Sequence, residues 1–321
     1  MGNADKRFVM QAEEKKIDHL PRVAVCLAAY NGVRYLDQQL NSILSQDNVD
    51  VTVFVSVDKS SDGTELLVDQ YTKTDSRVIG LPHGKVFGGA APNFYRLLID
   101  VDFSQFDYVC FADQDDIWLP VKLYNHIKLA RVNFADGVSS NVTAFWADGG
   151  KCLINKAQPQ KMLDYLFESS GPGCTFLMTV YLVNKVRERL LDNISLARDT
   201  ALHDWLTYAV CRSHGCKWII DSFPSVLYRQ HQINVIGANV GFSAKWARFR
   251  KLRQGWYKAE IIKIISVCME ISPTYEISIL QKLLKTKSYF ASLRLLAYVP
   301  SARRRLRDRC LLGMSILLGF F

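Results

Sequence analysis

The segment Phe111-Ala112-Asp113-Gln114-Asp115-Asp116-Ile117-Trp118-Leu119-Pro120 places three carboxylates within four positions, directly after the apolar run Tyr108-Val109-Cys110. Like charges this close repel strongly wherever water is excluded, so the run must lie where a buried strand meets solvent or a ligand. Asp113 and Asp115, two apart, can both send oxygens to a hard divalent cation that keeps other positions for water or phosphate. The same spacing also suits a solvated turn with an acidic cap for the helix that Pro120 opens. The acidic run alone leaves both readings open.

The surrounding pattern favours the cation. Residues 22–29 form a short β-branched apolar run, read as a buried strand, and Tyr30-Asn31-Gly32 supplies turn chemistry after it. Leu36, Leu40, Ile43 and Leu44 then share one helical face. Residues 51–57 read as a second strand ending at Asp58, and Asp62 with Glu65 has the spacing of a helix cap. Residues 93–99 read as helix and 108–112 as the strand feeding the acidic run. Strands alternating with helices predict a mainly parallel α/β sheet covered on both faces. Ligands of such sheets gather at the carboxyl ends of the strands, so Tyr30, Asp58 and Asp113 to Asp115 are expected to share one rim.

The second half is more mixed. Residues 142–147 read as a strand ending in Asp148, Gly171-Pro172-Gly173 as a sharp turn, and residues 176–183 as an apolar strand. Residues 201–211 read as a helix carrying His203, Asp204 and Trp205, with Gly215 as its C-cap. A strand at 218–220 and the polar run Tyr228-Arg229-Gln230-His231 follow.

Eight cysteines are scattered without a Cys-x-x-Cys pair, and the tightest grouping, Cys211 to Cys216 around His214, is only a weak candidate for a metal. Reduced thiols in a cytosolic protein are expected. The first twenty residues have no apolar core of a signal peptide, and no stretch is long enough to span a bilayer. The sequons at Asn141 and Asn193 then carry no meaning. From residue 243 onward sixteen Lys and Arg stand against four Asp and Glu, so the net charge of +9 sits in the tail on a slightly acidic body. The segments expected are a polar lead (1–21), two halves of one catalytic domain (22–135 and 136–242), and a basic helical tail (243–321).

A rim with cation-binding carboxylates, loops for a base and ribose, and a separate Asp204 contains the parts needed to move a sugar from a nucleotide diphosphate. The departing diphosphate gains negative charge that a cation stabilises, and the acceptor hydroxyl needs a base. Glycoside hydrolysis also uses paired carboxylates but needs neither metal nor nucleotide loops.

Six motifs in order carry a resemblance across about residues 22–240. They are Ala29-Tyr30-Asn31-Gly32; Asp58 with Ser60-Ser61-Asp62-Gly63-Thr64; Asn93-Phe94; Ala112 to Trp118; His203-Asp204-Trp205; and Tyr228-Arg229-Gln230-His231. Together they resemble family 2 glycosyltransferases of the GT-A fold, and most of all bacterial rhamnosyltransferases of O-antigen and cell-surface polysaccharide assembly. The resemblance implies that Ala29, Tyr30, Asn31, Asp58, Asn93 and Asp113 serve the donor nucleotide. It implies a divalent cation, Mg²⁺ or Mn²⁺, on Asp113, Asp115 and His231. Asp204 would be the base of an inverting transfer, and Gly173, Cys174, Thr175 and Trp205 would line the acceptor side. Two positions depart from the family pattern: Val57 where a second acid is usual, and Lys59 where glycine is usual. Strand alternation points Val57 into the core.

The expected reaction is transfer of L-rhamnose from dTDP-β-L-rhamnose to a lipid-linked oligosaccharide, with a UDP-hexose donor as the rival. A non-catalytic saccharide-binding partner is a rival of another class. The tail, with Trp246, Phe249, Trp256, Arg303-Arg304-Arg305-Leu306-Arg307 and an apolar end, is expected to lie on the anionic cytosolic face of a bacterial inner membrane. An apolar end gives no reason for nucleic-acid binding.

Overall fold

A computed structural model describes residues 19–231, 255–286 and 288–320. Trp246 and Phe249 of the tail lie outside the described residues, as does residue 232 onward of the late polar run. Four strands, β1 (Arg22–Ala29), β2 (Asp50–Val57), β3 (Val78–Gly80) and β4 (Tyr108–Asp113), alternate with helices α1 (Val33–Leu44), α2 (Thr64–Thr74) and α3 (Ala90–Asp100). Then follow β5 (Ile117–Trp118), α4 (Lys122–Asn133), β6 (Gly137–Ser140), β7 (Val142–Phe145), β8 (Lys151–Ile154), β9 (Leu177–Thr179), α5 (Val180–Leu191), α6 (His203–Ser213), β10 (Trp218–Asp221) and β11 (Val226–Arg229).

The main sheet has seven strands in the order β10-β6-β9-β4-β1-β2-β3. β1 runs parallel to both β2 and β4, and β9 is antiparallel to its two neighbours. In β1 the two-residue period divides the core: Ala24, Cys26 and Ala28 join one buried cluster with α3, α5 and α6, while Val23, Val25, Leu27 and Ala29 join a second with α1 and α4. Both faces are covered, as the strand and helix alternation predicts. Val57 is fully buried in the second cluster.

The second half differs from expectation in three places. The strand expected over 176–183 stops at Thr179, whose hydroxyl accepts a hydrogen bond from the Leu182 N–H at 3.3 Å and opens α5. A local N-cap outweighs the strand preference of the β-branched residues there. The strand expected to end at Asp148 ends at Phe145 instead; Asp148 accepts from the Gly150 N–H at 2.9 Å and turns the chain into β8. The third is a small second sheet, β5-β11-β7-β8, in which two-residue β5 lies within the acidic run itself.

Helices α7 (Trp256–Ile271), α8 (Tyr275–Lys285), α9 (Tyr289–Leu295), α10 (Val299–Ala302) and α11 (Leu306–Leu317) complete the described chain. They are not an appendage. Ile261, Ile264, Ile265, Leu280, Leu295 and Ile316 bury into the same cluster as Phe94, Leu182 and Tyr208. Arg303 and Arg304, expected to face an anionic membrane, turn inward. Arg304 is almost fully buried, 3.0 Å from the Asp164 carboxylate and 3.5 Å from that of Glu168, and donates to the Ser169 carbonyl. Arg303 donates to the Phe167 carbonyl and the Tyr257 hydroxyl. An arginine can enter a core when its fork is matched by carboxylate and carbonyl oxygens.

Removing one member of such a pair strands the other in a place without water. Arg304→Ala is expected to lower unfolding free energy by about 3 kcal/mol in a urea titration, the low end for a broken buried pair because Arg212 and Tyr208 still bond to Asp164. The exposed Arg307→Ala should move it by less than about 0.5 kcal/mol.

Candidate active site

The carboxyl ends of β1, β2 and β4 meet the start of α6 and the end of β11. Three loops are tied together first. Asn31, in the left-handed region at φ 47°, receives the Ser61 N–H on its side-chain oxygen at 2.8 Å, and its own N–H donates to Ser60 Oγ at 3.0 Å. Asp62 accepts from the N–H groups of Val33 and Thr64, and Glu65 accepts from the Ser60 N–H at 2.7 Å. The cap expected between Asp62 and Glu65 is therefore split between two turns. The Gln114 amide brackets the Tyr30 backbone, its oxygen receiving the Tyr30 N–H at 2.7 Å and its nitrogen donating to the Tyr30 carbonyl at 2.8 Å. A Cβ on Gly32 would lie 2.1 Å from that Gln114 oxygen, so glycine lets the β1 turn and the acidic turn approach.

Asp58 is buried at the end of β2, and its carboxylate accepts from the N–H groups of Lys59, Phe87 and Gly88 at 2.9, 2.9 and 3.0 Å. It clamps the loop leading into α3. Asn93 is also turned inward: its amide donates to the Ala29 and Ser56 carbonyls and its oxygen accepts from Ser56 Oγ. Among the expected donor residues Asn93 thus fastens β1 to β2, while Tyr30 is 54% exposed on the rim.

The acidic turn is more crowded than its spacing suggests. Asp113 is half-buried at the end of β4, and burial followed by the charges of Asp115 and Asp204 pushes its carboxyl up to about 7. Asp116 is fully buried; burial and the neighbouring Asp115 and Asp113 hold its carboxyl well above the usual range. One Asp116 oxygen accepts from the Arg229 N–H at 3.1 Å, and the other has no hydrogen-bond partner among the described residues. Ligand atoms of Asp113, Asp116 and Cys174 lie within 4.8 Å of one another. Asp115 instead meets His231, whose Nε2 is 2.6 Å from its carboxylate and whose ring stacks on Tyr35. The expected set of Asp113, Asp115 and His231 is thus divided: Asp113 gathers with Asp116 and Cys174, while Asp115 pairs with His231. A buried oxygen lacking a partner, among carboxylates holding unfavourable charge, fits a hard cation.

Arg229, at the end of β11, ties the acidic turn to α1 and β7. Its Nε donates to the Asp115 carbonyl at 2.8 Å and its guanidinium covers the rings of Tyr35 and Phe145. Its signal in the sequence is its place in the run Tyr228-Arg229-Gln230-His231.

On the opposite side stands Asp204, in the first turn of α6. Burial raises its carboxyl to about 6 against the opposing pull of the Trp205 N–H, Lys156 and the Ser169 hydroxyl. The residues expected to line the acceptor side face inward. Trp205 is 3% exposed, donates to the Tyr165 carbonyl at 2.9 Å and stacks on Tyr257. One residue along a helix turns the side chain by about 100°, so Asp204 and Trp205 cannot share a face. Cys174 is buried beside Asp116, and Thr175 Oγ1 donates to the Pro172 carbonyl at 2.8 Å. Gly173 lies over the buried ring of His203, which stacks on Phe94 and is held neutral by burial, down to about 3.

The family model described as "Glycosyl transferase family 2" matches residues 24–190. A dTDP-rhamnosyl transferase of Shigella flexneri, RfbG, is 38% identical over 92% of this chain and 100% of its own length. The chain belongs to glycosyltransferase family 2. Among solved structures, the Staphylococcus aureus protein TarS (residues 1–349) matches over 93% of this chain and 80% of its own, with a TM-score of 0.56 and 12% identity. A mannosyltransferase of Pyrobaculum calidifontis, described in complex with GDP-Man and Mn²⁺, covers 94% and 81% with a TM-score of 0.52 and 18% identity. Both show the shared GT-A fold. The protein is a family 2 enzyme with this acidic turn at the carboxyl end of its central strands.

A Cβ on Gly173 would lie 2.4 Å from His203 Nε2. Gly173→Ala should therefore displace the turn before Cys174 and lower stability by about 1–3 kcal/mol in thermal or urea unfolding. Pairing it with His203→Ala should return much of the loss.

Proposed function

We propose that this glycosyltransferase moves L-rhamnose from dTDP-β-L-rhamnose to a hydroxyl of a lipid-linked oligosaccharide, with inversion. The observation that carries the reading is the identity to RfbG along that relative's whole length, joined to the acidic turn opposite Asp204. The exposed Tyr30 ring offers a stacking face for the base, and the clamped turns around Asn31 and Asp58 shape the nucleotide side. Asp113, Asp115, Asp116 and His231 would hold a divalent cation, which when bound supplies charge stabilisation to the departing diphosphate. Asp204 accepts the acceptor's hydroxyl proton as the oxygen attacks the sugar, and Ser169 and the Trp205 N–H orient its carboxylate.

The donor and the cation are tested by titrating the purified chain with dTDP-rhamnose, UDP-glucose and GDP-mannose, with and without Mn²⁺. Tight binding of dTDP-rhamnose alone, lost on chelation and in Asp115→Ala, is expected. Preference for a UDP or GDP sugar overturns the donor.

A base must be ionised to act, so kcat/KM should fall as pH drops through about 6, the level to which burial raises Asp204. Asp204→Asn is expected to bind donor normally yet transfer roughly 10²–10⁴ times more slowly. Near-normal turnover by this variant removes Asp204 from the role.

No described helix is long and apolar enough to cross a membrane. We place the enzyme on an anionic bilayer through α11, where Leu311, Met314, Leu317 and Leu318 are half-exposed or more on the helix that carries exposed Arg307. Leu311→Asp with Leu318→Asp should abolish sedimentation with phosphatidylglycerol vesicles while leaving transfer to a soluble acceptor intact. Unchanged sedimentation rules out this face.

A further inference from the structure

The grouping Cys211 to Cys216 closes helix α6. Gly215 takes φ 70°, the Cys216 N–H donates to the Cys211 carbonyl at 3.0 Å and the Gly215 N–H to the Arg212 carbonyl at 3.1 Å. This pair of hydrogen bonds ends a helix and seats the side chain after the glycine against the one five positions earlier. In most helices that contact is between two apolar groups. Here both are thiols.

The two sulfurs differ in setting. Cys211 is fully buried, whereas Cys216 is half-buried at the surface end of the turn. A thiol interaction from Cys211 holds the Cys216 thiol below its ordinary value, with Lys185 adding positive charge and Asp136 opposing it. A cavity of about 410 Å³ lined by Arg212, His214 and Gly215 opens beside the turn. Of the other cysteines, Cys26, Cys110, Cys174 and Cys268 are buried, and Cys152 and Cys310 are exposed on β8 and α11.

We propose that Cys211 and Cys216 form a peroxide-sensitive modification site that oxidises to a disulfide across the C-cap of the helix bearing Asp204 at its other end. The Cys216 thiolate attacks one oxygen of hydrogen peroxide, breaking the O–O bond to give a sulfenic acid and hydroxide. The Cys211 sulfur then displaces the sulfenic oxygen, which leaves as water with the remaining proton. Two thiols lose two electrons in all, and one peroxide becomes two waters. This site stands independently of the donor reading.

Trypsin cuts after Arg212 and Lys217, so the two cysteines fall in separate peptides that only a disulfide can join. After brief peroxide treatment of the full chain, that linked pair is expected in peptide mass spectra. The thiols titrated in denaturant should fall from eight to six. Cys216→Ser should abolish the linked species, and Cys211→Ser should leave Cys216 as a sulfenic acid trapped by dimedone. Oxidation of Cys152 or Cys310 with Cys216 untouched overturns the proposal, as does Cys216 passing to sulfinic acid without linking to Cys211.

Discussion

Asp113, Asp115, Asp116 and Asp204 converge where the central parallel strands end, in a place that excludes much of the water that would screen them. Burial and mutual repulsion raise the Asp113 and Asp116 carboxyls, and one Asp116 oxygen has no partner among the described residues. Such an arrangement is stable only because the surrounding backbone is held from several directions. Gln114 brackets Tyr30, Arg229 donates to the Asp115 carbonyl and to an Asp116 oxygen, and Asp58 fixes the loop before α3. Burial and repulsion thus favour the protonated form of these carboxyls, the charge that the cation of the proposed reaction would offset.

The same logic recurs away from the site. Asp164, fully buried, gathers Arg304, Arg212 and the Tyr208 hydroxyl, and through Arg304 it fixes the C-terminal helices to the catalytic half. Those helices also pack on α6, whose first turn carries Asp204. A stretch that reads as a charged tail thus helps place the candidate base. Of this stretch, α11 keeps an exposed apolar face at Leu311, Met314 and Leu317.

Much of the site was legible residue by residue, because several carboxylates crowded at strand ends are costly unless a cation or a proton transfer makes use of them. The acidic run, Asp204 in a first helical turn and the late His231 all fall beside the rim. Less legible were the residues that support them. Asn93, Thr175 and Trp205 belong to motifs yet face inward, because a motif records which residues occur together, not which side of the backbone each one takes. Arg229 and Asp116 matter through a contact at the β5–β11 pairing, 113 positions apart in sequence.

The sequence by itself determined the alternating strands and helices of the first half, the two buried faces of β1 and the crowding of acids after β4. These follow from periodicity and like-charge repulsion, which act between near neighbours. Only the tertiary structure decided where β9 stops, that β5 within the acidic run pairs with β11, and that Arg303 and Arg304 point into the protein. Each of those depends on a partner far along the chain or on a local cap competing with strand preference, and only folding brings such partners within bonding distance.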